Sequence, residues 1–72
     1  MEKVILIEGM SCQHCVAHVE SALRQVAGVR KVKVDLGQKR AVVEVDGAVT
    51  DARLKAVVEE MGYDVTAIKE NN

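Results

Sequence analysis

Two stretches of this chain carry apolar residues at helical spacing, and each runs into a glycine. Val16, Val19, Leu23 and Val26, with Ala22 beside them, precede Gly28; Leu54, Val57, Val58 and Met61 precede Gly62. Steps of three and four residues put each set on one face of a helix, so helices are expected over 14–27 and from Asp51 to Gly62. Thr50 suits the N-cap of the second, with Asp51 in its first turn near the positive end of the dipole. A glycine just past the last apolar step ends a helix in the left-handed conformation without a Cβ penalty. The two glycines lie 34 residues apart in a chain of 72, so the sequence divides into two similar halves.

Each half supplies two strands around its helix. Val4–Glu8 is β-branched and apolar; Val32, Val34 and Leu36 alternate with Lys31, Lys33 and Asp35. Gly37-Gln38 reads as the turn of a hairpin whose return strand points Ala41, Val43 and Val45 inward and Arg40 and Glu44 outward. A last strand follows Gly62, with either Val65 and Ala67 or Asp64, Thr66 and Ile68 on the inner face, and Glu70-Asn71-Asn72 forms a polar tail. The order βαβ-βαβ, with right-handed crossovers, gives an α+β, ferredoxin-like βαββαβ sandwich: a four-stranded antiparallel sheet with two helices on one face. Nothing resembles a linker, so residues 1–72 are expected to form one domain with its core over about 3–68.

Composition removes several functions. Ten basic against eleven acidic residues leave a net charge of −1, no field to draw in nucleic acid. Tyr63 is the one aromatic residue, too few for a base-stacking platform. The longest strongly apolar run, Val4 to Ile7, is far short of the ~20 residues of a membrane span or the ~7–15 of a signal-peptide core. No membrane insertion and a cytoplasmic location are therefore expected, and there two cysteines stay reduced rather than stapling a secreted scaffold.

Those cysteines fall within four residues, Cys12-Gln13-His14-Cys15, where the first loop meets the first helix. Two intervening residues let both sulfurs converge on one point. Unpaired backbone N–H groups and the helix dipole favour thiolates, that of Cys15 above all. Two soft thiolates without further protein ligands suit Cu(I), whereas a structural zinc site wants four ligands, for which no second CxxC or Cys/His pair is present. Zn(II), Cd(II), Hg(II) and Ag(I) also accept thiolates. A dithiol/disulfide redox protein is the rival reading. Thioredoxin-like folds, however, place an aromatic residue before the first cysteine and a cis-proline opposite the pair; here Ser11 precedes Cys12 and the chain has no proline.

Gly9-Met10-Ser11-Cys12-Gln13-His14-Cys15 resembles the GMxCxxC signature of the heavy-metal-associated domain, and Gly62-Tyr63-Asp64-Val65 falls where that family has its second marker. The resemblance spans residues 3–68 and is nearest to small bacterial copper chaperones of the CopZ type. It implies a protein that is not an enzyme: a cytosolic carrier that binds Cu(I) through Cys12 and Cys15 and passes it by ligand exchange to a domain of a copper-transporting P-type ATPase. A metal-binding domain of a larger transporter is the alternative. Met1, a fold finished by Ile68 and a short polar end favour a free-standing chain.

Around the cysteines, several residues have two readings each. Met10 is a thioether ligand or an apolar plug that pins the loop, and the family pattern favours the plug. The family also places Ser or Thr at the position of Ser11. His14, one turn before His18, is a solvated side chain, or a ligand when two molecules share copper in a bridged homodimer. Tyr63 shields the metal loop and hydrogen-bonds near a sulfur, or packs over the end of the second helix. Arg30, Lys31, Lys33, Lys39 and Arg40 form a solvated basic face that would steer an acidic partner.

Overall fold

Alternation decides which side of each strand is covered. Ile5 and Ile7 are buried while Val4 and Leu6, which alternate with them, are half-buried; Ala41, Val43 and Val45 are buried while Val42 and Glu44 are not. In this computed structural model, which describes residues 1–71, these strands are β1 (Glu2–Glu8) and β3 (Arg40–Val45). They pair antiparallel at the centre of one sheet, with β2 (Val29–Asp35) outside β3 and β4 (Asp64–Asn71) outside β1. Helices α1 (Gln13–Arg24) and α2 (Asp51–Glu60) lie against one face of the sheet. Val16, Val19 and Leu23 of α1 and Leu54 and Val58 of α2 join Ile5, Ile7, Val43 and Val45 in a continuous core. The expected βαββαβ sandwich is the observed one. Asn72, last residue of the expected domain and tail, lies outside the described residues.

The second helix begins and ends where its sequence signals place it. Thr50 caps α2, its Oγ1 accepting from the Arg53 N–H at 3.1 Å. Gly62 follows the C-cap residue Met61 with φ +96°, and its N–H reaches the Glu59 carbonyl at 3.0 Å. The first half departs. Helix α1 ends at Arg24 rather than at residue 27, and Gln25 and Val26 donate to Ala22 and Leu23 in a tightened last turn. Gly28 therefore does not end the helix. Its φ of +95° serves a close approach: a Cβ there would lie 2.6 Å from Val49 Cγ2 and 2.8 Å from Asp46 Oδ1.

Three further expectations need correction. Strand β2 ends at Asp35, so Leu36, expected on it, opens the hairpin turn; Gly37 and Gln38 lie in that turn as expected, the Gln38 N–H bonding Asp35 Oδ1, and Lys39 closes it at φ +55°. Met61 leaves the core stripe, 38% exposed, because it sits past the last turn of α2. Strand β4 runs through Glu70 and Asn71, which pair with Lys3 and Glu2 where a tail was expected. Its inner face follows neither strict alternation. A bulge lies opposite the Leu6–Ile7 step, so that Val65 pairs with Ile7 and Ile68 with Ile5, and both pack on the core.

Candidate metal centre

The loop from Gly9 to Cys12 joins β1 to α1, and its first two residues are fixed differently. Met10 turns inward, 7% exposed, and packs with the core residues, the place expected of an apolar plug. Gly9 takes φ +103°, and its bare Cα faces the ring of Tyr63: a Cβ there would sit 3.4 Å from Cδ1. Ser11 and Cys12 follow these anchors and are exposed.

Cys12 is the N-cap residue of α1, with extended backbone, and its side chain caps no N–H among the described residues. Its carbonyl accepts from the Cys15 and Val16 N–H groups at 3.1 and 3.3 Å, so the first turn forms while the thiol stays directed away. Cys15, one turn on, is half-buried and touches the core. The two sulfurs stand 3.7 Å apart, far beyond a disulfide bond of about 2.05 Å, and both thiols are free. Ser11 Oγ lies 3.9 Å from Cys15 Sγ.

The two thiols are chemically unequal. The Cys15 pKa is pulled down to about 6, first by hydrogen bonding from the Tyr63 side chain and then by the Ser11 backbone N–H; desolvation opposes this, and Cys12 and the Ser11 hydroxyl assist. The same contact with Cys15, the largest cause, raises the Tyr63 pKa above its ordinary value. At neutral pH the pair thus holds one thiolate before any ion arrives. A lowered Cys15 thiol was expected from the helix terminus, but its main cause, a tyrosine 48 positions away, carried no local signal.

His14 and His18 are exposed on α1. Among the described residues, no group of three or more His, Cys, Asp or Glu side chains stands together as a metal site. No helix in the described residues is long and apolar enough to cross a membrane.

Comparison with known proteins agrees with this geometry. The model of the heavy-metal-associated domain matches residues 4–64. Copper chaperone CopZ of Staphylococcus epidermidis is 46% identical over 65 residues, 89% of this chain and 96% of its own length. Longer proteins carry a similar segment: copper-transporting ATPase 1 of Rhizobium meliloti, 43% identical over 63 residues, and mercuric reductase of Shewanella putrefaciens, 40% over 60. These matches cover 88% and 83% of this chain but only 8% and 11% of those proteins. A solved structure of a CopZ metallochaperone superposes with a TM-score of 0.89 at 37% identity, over 92% of this chain and all of its own. The chain belongs to the heavy-metal-associated domain family.

Proposed function

We propose that this chain is a cytoplasmic copper(I) carrier, not an enzyme, which holds one ion between Cys12 and Cys15 and surrenders it to a similar domain of a copper-transporting ATPase. The observation that carries this reading is the pair of unbridged sulfurs 3.7 Å apart at the exposed start of α1. A metal–thiolate bond of about 2.3 Å separates two sulfurs on one ion by about 4.6 Å when linear and by less when bent. The observed spacing suits a bent arrangement. A near-linear one, which Cu(I) accepts, needs the sulfurs to part by under about 1 Å. Cys12, exposed and not engaged in capping, is the sulfur able to move.

Release follows from the same asymmetry. Cys15 is fixed by the core and by Tyr63, whereas Cys12 faces solvent, so an incoming thiolate meets the ion on the Cys12 side. Exchange between two dithiolate sites conserves the number of metal–sulfur bonds, and no closed set of four ligands has to be dismantled. Binding displaces thiol protons, so affinity rises with pH. The similar segment in a copper-transporting ATPase supports the choice of recipient. The similar segment in a mercuric reductase favours Hg(II) as a second cargo of the same thiols.

Competition titration of the reduced protein against a cuprous chelator tests the reading. One tight site per chain, lost in Cys12→Ser/Cys15→Ser, supports it; tight binding retained by that variant overturns the ligand assignment. Repeating the titration with Zn(II) and Hg(II) ranks the metals. Efficient reduction of insulin disulfides with weak copper binding would favour a dithiol redox protein instead.

A further inference from the structure

Two residues that the cysteine site does not use line one cleft elsewhere on the surface. His18 is exposed on α1, three positions beyond Cys15. Met61 belongs by helical phase to the core stripe of α2 yet is 38% exposed, one of two large hydrophobic side chains so exposed among the described residues; the other is Met1. Both His18 and Met61 line a cleft of about 190 Å³ between the helices, together with Ser21, Ala22 and Gln25.

The donors in this cleft share a chemical preference. A thioether is a soft ligand selective for monovalent copper and its congeners, and imidazole accepts the same ions. Two such donors suffice for a closed-shell monovalent ion that tolerates low coordination, while the small side chain of Ala22 leaves room and Gln25 offers a carbonyl oxygen. No carboxylate is among the lining residues of this cleft, so nothing in it favours a hard divalent cation. Glu60 and Arg53, of opposite charge, stand in the adjoining cleft that shares Met61. The methionine has three rotatable bonds and is 38% exposed, so it has freedom to swing toward the ring.

We propose that His18 and Met61 form a second, weaker site for a soft monovalent cation, on the groove between the two helices and separate from the cysteine pair. Ag(I), a redox-inert soft ion, is the probe. Silver nitrate is titrated into the reduced chain carrying ¹³C-methyl methionine, which reports Met1, Met10 and Met61 individually, and ¹⁵N-labelled histidine, which reports His14 and His18. The first equivalent reads the cysteine pair, so the two sites succeed or fail separately. The second equivalent is expected to shift the Met61 methyl and the His18 ring together, saturably, with the Met1 methyl unmoved. Met61→Leu and His18→Gln, both at exposed positions, are each expected to weaken the second equivalent by at least about tenfold and to leave the first unchanged. A second equivalent that leaves the Met61 methyl in place overturns the proposal. So does one that moves His14 and His18 alone, which would mark a histidine pair along α1, or one that survives Met61→Leu intact.

Discussion

The ring of Tyr63 rests against the bare Cα of Gly9, within 3.4 Å of where a Cβ would stand, and the same side chain is the largest cause of the lowered Cys15 pKa. A residue that follows the second helix thereby braces the loop that precedes the first. The contact distance is an ordinary van der Waals one, so the constraint at Gly9 is its φ of +103°, which a side chain rarely adopts. Gly9→Ala is expected to cost about 1–3 kcal/mol in urea unfolding and to change the fluorescence of Tyr63, the one aromatic residue. An unchanged midpoint and spectrum would show that the loop adapts without strain.

The Cys15 thiol gives a pH signature. With its pKa at about 6, alkylation of metal-free protein by iodoacetamide at Cys15 is expected to reach half its plateau rate near pH 6. Tyr63→Phe removes the largest cause and moves that midpoint upward. Because the folded value lies below the unfolded one, the thiolate's contribution to stability is complete above about pH 8.5 and is lost as pH falls through 6. Reduced apoprotein should therefore gain resistance to urea from pH 6 to about 8.5, less so in Tyr63→Phe. A midpoint near the free-thiol value in both proteins would contradict the contact.

Gly28 and Gly62 form a controlled comparison. Both have positive φ, +95° and +96°, but a Cβ at Gly62 meets nothing within 4 Å, whereas one at Gly28 meets Val49 Cγ2 at 2.6 Å and Asp46 Oδ1 at 2.8 Å. Gly62→Ala is expected to cost about 1–2 kcal/mol from backbone conformation alone. Gly28→Ala adds the displacement of buried Val49, about 1–3 kcal/mol more. Equal costs would mean that the two halves yield freely where they touch.

At the end of the sheet away from the cysteines, Lys3 pairs with Asp51 in the first turn of α2; the lysine side chain is 13% exposed and the aspartate 55%. Asp51→Asn strands a largely covered ammonium, whereas Lys3→Met removes the charge together with its need for a partner. Thermal unfolding should therefore rank Asp51→Asn below Lys3→Met, by about 1 kcal/mol given the exposure of the aspartate. The reverse order would show that the lysine is solvated enough to stand alone.

The sequence made legible whatever depends on near neighbours. Apolar spacing located both helices, alternation identified Ala41, Val43 and Val45 as inward, and the Thr50 hydroxyl caps where its position indicated. The misreadings share a cause. Gly28 answers to Val49 and Asp46, about twenty positions on, rather than to the helix before it. The bulge in β4 arises from fitting a strand against β1, which no pattern within residues 64–71 announces. At the site, the adjacent cysteines follow from local spacing and the inward Met10 from the resemblance to a family pattern, while the partnership of Tyr63 with Cys15 exists only once the chain has closed on itself.

The two helices open differently, and this bears on what loading does to the molecule. Thr50 locks the start of α2 with its hydroxyl, an interaction worth about 1 kcal/mol; Cys12 holds the equivalent place in α1 and withholds its side chain from the role. The empty carrier should therefore fray at Gln13–Cys15, with backbone amides there exchanging rapidly into deuterated solvent. An ion clasped by both sulfurs ties the first residue of that turn to the fourth. Binding at that pair would then hold closed a first turn that is already wound, and the Gln13–Cys15 amides should exchange more slowly once the ion is bound.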